Sequence, residues 1–183
     1  MLGRKKYTTV KDLLENVDGD TFSVLLEHAK PVNTFKGKSL PDIIKWKFCD
    51  VMEFGQLDAI ECCNRALNKY AGLNESMLLM GKASEYISLL RHVKNEFDKV
   101  SKLMKQLERE PDGDMINAGV DKMNTFGVLG VYYAIDKNPT KWDEISETPF
   151  IMMYSKLMMD KISGEIQEEY SRIQADKQKH KSR

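Results

Sequence analysis

Three histidines, three cysteines, two Asp-Gly-Asp turns and one Gly-Lys-Ala-Ser run are the parts of this chain that could do chemistry. A zinc site needs clustered nitrogen and sulfur ligands. His28, His92 and His180 are far apart, with no Cys, Asp or Glu partner at ligand spacing. His92 sits beside apolar Val93 and reads as the flank of a helix. Cys49, Cys62 and Cys63 are odd in number and lack a CxxC spacing, which suits reduced thiols rather than a disulfide framework or a metal site. Glu61, next to Cys62, would raise a thiol pKa rather than depress it. Asp18-Gly19-Asp20 and Asp112-Gly113-Asp114 lack the alternating carboxylates and closing Glu of a calcium loop, so turn and cap chemistry explains them. Gly81-Lys82-Ala83-Ser84 has neither the upstream glycine nor the preceding strand of a phosphate loop. No Ser, Cys or Thr has a His at interpretable spacing to act as its base. The sequence therefore predicts no catalytic residue, no metal, no cofactor and no enzyme.

What it does spell out is helices. From Asn74 to Glu110 the apolar residues Leu79, Ala83, Tyr86, Leu90, Val93, Phe97, Val100, Met104 and Leu107 step alternately by four and three. That is a 3.5-residue repeat held for four heptads. Charged residues such as Lys82, Glu85, Lys94 and Lys102 fill the other face. Asn74 can cap the start, and Pro111-Asp112-Gly113 ends the helix because proline cannot continue the ladder. A second 4-3 repeat, through Ile116, Val120, Met123, Gly127, Gly130 and Ala134, predicts a helix over 115–136. It is apolar nearly all round, which predicts a central, buried position. Val128 to Ile135 is also β-favouring, but the continued spacing decides for helix. The tight turn makes these two the arms of an antiparallel hairpin, with the second covering the seam of the first.

The rest follows the same grammar. Thr9-Val10-Lys11-Asp12 matches a capping box opening a short helix through Leu13, Leu14 and Val17. Asp20 is the expected cap of the next helix, with Phe22, Leu25, Leu26 and Ala29 on one face. Residues 30–41, with Pro31, Gly37 and Pro41, read as loop. Residues 41–69 read as helix interrupted near Gly55, with Trp46 to Phe54 either helical or extended. Thr140-Lys141-Trp142-Asp143 is a second capping-box match, for a short turn ending at Glu147. Thr148-Pro149 should start a last helix reaching about Gln174. The prediction is an all-α single domain over 1–183, a helical bundle of roughly six helices built on the 74–110 and 115–136 hairpin. Its basic ends, 1–7 and 175–183, are expected to be loose.

Length permits one proper core. Zero net charge gives no general pull towards nucleic acid or anionic lipid. No run approaches the 18 apolar residues of a spanning helix. The start carries neither a signal peptide nor a transit pattern, which points to synthesis in the cytoplasm. The last helix has more apolar surface than one core-facing stripe needs. Phe150, Met152, Met153, Met158 and Met159 either fill a core or meet a partner, for which flexible methionine suits both. The basic tail residues Lys177, Lys179, Lys181 and Arg183 are either solvated or an arm docking on an acidic partner.

Three stretches together resemble small helical proteins encoded among the structural genes of tailed bacteriophages. They are Phe54 to Glu61 (FGQLDAIE), Asn117-Ala118-Gly119 through Phe126-Gly127, and Thr140 to Ile145 (TKWDEI) with Pro149-Phe150. The resemblance covers roughly residues 40–173 and carries no catalytic residues. It implies a non-enzymatic virion assembly protein, first a head–tail connector (portal adaptor) ring component, self-associating and contacting portal or tail proteins. The alternatives are a tail assembly chaperone that binds a helical client, or a small helical nucleic-acid-associated protein, with nucleic acid at most incidental. The implied location is the host cytoplasm during assembly and then the virion.

Overall fold

The computed structural model describes residues 7–108, 122 and 125–181. It is all-α apart from one two-residue hairpin. Where the sequence suggests one domain, the chain divides into two compact units, Met1–Ser101 and Lys102–Arg183. No helix among the described residues is long and apolar enough to cross a membrane.

In the first unit, Val10–Asn16 (α1) is capped as expected, the Thr9 hydroxyl accepting from Asp12 N–H. The Asp12 carboxylate accepts in return from Thr8 N–H at 3.1 Å. Gly19–His28 (α2) starts earlier than expected, because Asp18 rather than Asp20 caps it, accepting from Thr21 N–H at 2.8 Å. The expected loop contains Thr34–Phe35 (β1) paired with Lys38–Ser39 (β2). Its turn, Lys36-Gly37, has positive φ at both residues, the two-residue geometry that matches strand twist. A 3-10 turn at Ile43–Lys45 and extended backbone at Trp46 and Lys47 precede Phe48–Phe54 (α3). Both alternatives for 46–54 thus hold in part: extended at its start, helical after it. Asp58 caps Ala59–Ala71 (α4), and Gly72 closes it in the left-handed conformation (φ 64°).

The helix expected over 74–110 differs most from expectation. It is two helices, Glu75–Leu79 (α5), capped by Asn74, and Ala83–Leu107 (α6). The break at Met80–Lys82 is imposed from outside the segment. The Phe35 ring lies against Gly81 so closely that a Cβ there would stand 2.1 Å from Phe35 Cζ. The chain before α1 runs alongside: Val10 N–H donates to Gly81 O at 2.9 Å, and Ala83 N–H to Thr8 O at 3.2 Å. A straight helix would lose both bonds and the contact. Gly81→Ala should cost about 1–3 kcal/mol by overpacking a buried ring. Phe35→Leu in the same chain should recover part of the loss, read as urea midpoints with an unchanged slope.

The seam is covered mainly from upstream. Ala83, Tyr86, Leu90, Val93 and Val100 are buried. Tyr86 meets Phe35 edge-on at 5.8 Å and donates to Asn64 Oδ1 on α4 at 2.6 Å. Phe97 meets Trp46 at 6.1 Å. The core of this unit is therefore α6 against α4, α3 and the Trp46 segment.

The second unit contains the end of α6, then Val128–Ile135 (α7), a 3-10 turn at Pro139–Lys141, Trp142–Glu147 (α8) and Phe150–Lys181 (α9). The Pro111 turn and most of 115–127 lie outside the described residues. Only Tyr132 and Ile135 of α7 are buried, while Leu129 and Tyr133 are exposed, so α7 is not the all-round buried helix its composition predicts. Asn138, not Thr140, caps the turn before α8, accepting from Thr140 N–H at 3.1 Å.

Candidate interaction surface

Helix α9 has two halves with different surroundings. The Pro149 carbonyl accepts from the Met152 and Met153 amides at its start. Phe150 is fully buried and stacks on Tyr154 at 6.3 Å. Tyr154 donates to Gln106 Oε1 at 2.7 Å, and Lys161 Nζ donates to the Gln106 and Glu108 carbonyls at 2.7 and 3.2 Å. A cation on the last carbonyls of α6 satisfies acceptors that the helix itself leaves open. Leu157 lines a cleft with Met104, Leu107 and the small residues Gly127, Gly130 and Ala134 of α7. These contacts anchor residues 150–161.

Beyond Lys161 the helix is exposed on nearly every side. It continues to Lys181, so 175–181 is helical and not the loose end expected. A lone helix in water is marginal. The exposed pairs Lys156–Asp160 (2.6 Å) and Arg172–Glu169 (2.8 Å) add only about 0.3–0.5 kcal/mol each. Yet Met152, Met159, Ile162, Ile166, Tyr170 and Ile173 are all exposed, Met159 by 64% and Ile166 by 65%. At about 100° per residue, these six fall within about 40° of the direction of Ile166. They form one apolar stripe along α9 from Met152 to Ile173, with nothing among the described residues over it.

The residues singled out in the sequence divide accordingly. Phe150 is a core anchor and not a contact residue, because it is fully buried. Met153 and Met158 are half-buried. Met152 and Met159 stand on the stripe, and Lys177 and Lys179 are exposed beyond it. The Lys181 side chain and Arg183 lie outside the described residues. Missed as surface were Ile162, Ile166, Tyr170 and Ile173, which the periodicity marks as apolar without saying what covers them.

Two other places gather side chains of potential use. Phe126, Leu129, Gly130, Tyr133 and Trp142 line an apolar cleft of about 450 Å³. Trp142 is held there by its Nε1–H on the Asp136 carbonyl at 2.9 Å. In the first unit, Asp50 is the one buried charged side chain among the described residues. Its Oδ1 accepts from Lys69 Nζ at 2.6 Å and its Oδ2 from the Tyr70 hydroxyl. Tyr70 accepts in turn from Lys47 N–H, and Arg65 is held by Glu53 and Glu61 at 2.6 and 2.7 Å. Each charge is taken up by another of the chain, an arrangement that ties α3 to α4 rather than presenting a reactive group.

Cys62 and Cys63 are buried thiols kept in the protonated form by their surroundings. Burial pushes the Cys62 thiol up to about 12, helped by Asp58 rather than by Glu61, and pushes Cys63 up as well. Burial holds the His92 imidazole below its usual value. Among the described residues no three His, Cys, Asp or Glu side chains are grouped to hold a metal ion. No protein-family model matches this sequence, and no curated protein and no solved structure matches it either.

Proposed function

We propose that the chain is a non-enzymatic assembly protein working through protein–protein contacts along the exposed face of α9. The observation that carries this is the stripe from Met152 to Ile173, six large apolar side chains in one line on an anchored helix. Exposed apolar lines of this extent belong to interfaces, and amphipathic helices dock by such anchors into a partner's groove. Its setting comes from the resemblance to tailed-phage structural proteins. On that reading the chain is a head–tail connector ring component, whose terminal helix is the arm that docks on a neighbour. The tail-chaperone reading draws on the same stripe, with a helical client in place of the neighbour.

Light scattering and negative-stain imaging of the full chain test this, alone and with a tailed-phage portal protein. The expected result is a multimer or a portal complex. Ile166→Glu with Tyr170→Glu should abolish it while leaving far-UV helicity and the melting temperature nearly unchanged, since both side chains are exposed. A one-to-one complex with a tail protein and no ring would select the chaperone. A chain that stays monomeric, ignores both partners and is indifferent to the stripe substitutions would overturn the proposal.

A further inference from the structure

We infer that the unassembled protein pairs with a second copy of itself, α9 against α9, antiparallel and centred on Ile166. The inference rests on reading the α9 stripe as the contact surface, and it names what covers that surface before a final partner does.

A contact between two identical chains about a two-fold axis must be self-complementary. The stripe has that property. From Met159 through Ile162, Ile166 and Tyr170 to Ile173 the steps are three, four, four and three, the same in both directions. Laid against a reversed copy, Met159 falls level with the second copy's Ile173, Ile162 with its Tyr170, and Ile166 with its own counterpart. Every apolar layer is filled and none faces a charge. A parallel pair would also fill these layers, each with its own counterpart, so the spacing permits both directions.

Charge separates the two directions. Residues 159–169 carry Asp160, Glu165, Glu168 and Glu169 against Lys161, and residues 170–180 carry Arg172, Lys177 and Lys179 against Asp176. In a parallel pair each stretch lies along its own copy, and Lys177, which points along the stripe, meets Lys177. Reversal parts the two basic ends by about 30–40 Å, at 1.5 Å per residue, and carries each Arg172 to the level of the other copy's acidic stretch. Like charges adjacent across a contact disfavour it, so the antiparallel direction is selected.

A two-fold contact closes on itself and cannot propagate into a ring. The pair is therefore the resting form, and it opens when a portal, tail or neighbouring surface takes the stripe. Five layers on two helices make a small interface, so the pair is reversible and depends on concentration.

Cysteine cross-linking in a Cys49→Ser background tests the register, since Cys62 and Cys63 are buried. Upon mild oxidation Ile166→Cys should form a covalent dimer. Met159→Cys and Ile173→Cys should each stay monomeric alone and cross-link when mixed. Met159→Cys and Ile173→Cys each dimerising with itself would mean a parallel pair and overturn the inference. So would a monomer in sedimentation at about 1 mM protein with no cross-link in any variant. If that monomer still bound the portal or tail protein through the stripe, the proposed function would stand and only the self-pairing would fall.

Discussion

Trp46→Ala will destabilise the first unit by about 3–5 kcal/mol, the largest effect expected of any single truncation here. The indole is completely buried on backbone that is extended, so it is held by its contacts and not by a helix. It stacks on Tyr70 at 4.7 Å and meets Phe54 and Phe97 edge-on at 6.0 and 6.1 Å. These three rings belong to α4, α3 and α6, so one side chain joins the elements that cover the seam. Its Nε1–H donates to the Pro41 carbonyl at 2.9 Å, fixing the loop that leads in. Truncation opens a cavity bounded by three aromatic rings that cannot close without moving helices. Trp46→Phe keeps most of the buried area and loses the hydrogen bond, so its cost should be about 1–2 kcal/mol. Urea denaturation followed by far-UV circular dichroism measures both. A loss under about 1 kcal/mol for Trp46→Ala would mean that the rings do not organise this core.

How far the fold could be read in advance depended on the range of the interaction that decided each feature. The caps at Thr9 and Asn74 were legible, because a cap is settled within four residues. The break at Gly81 was not, because the residue that forces it, Phe35, arrives from a distant hairpin. The apolar faces at 79–107 and on α9 are both marked by steps of three and four, yet one is covered and the other bare. Periodicity states that a face is apolar and is silent on whether anything lies over it. The same silence hid Asp50, whose partners lie 19 and 20 residues on, across a helix break. Its flanking Phe48, Val51 and Phe54 mark the face as buried, so a carboxylate among them was the available signal.

That carboxylate supports the second large effect. Lys69→Met will cost about 2–3 kcal/mol, because it leaves the Asp50 carboxylate, 2% exposed, with the Tyr70 hydroxyl and no cation. The figure is below that for a fully enclosed pair because the Lys69 side chain is 43% exposed and water shares its charge. Asp50→Asn should cost less, about 1 kcal/mol, since its amide can still accept from Tyr70 and Lys69 can turn to solvent. The double variant separates charge from packing. With the carboxylate gone, Lys69→Met strands nothing, so the pair of changes should be no worse than Asp50→Asn alone. Denaturant midpoints of the three variants and the parent complete the cycle. A double variant as unstable as the sum of the singles would locate the loss in the Lys69 stem packed along the α3–α4 cleft. The ion pair would then be a consequence of how those helices meet, and not what holds them together.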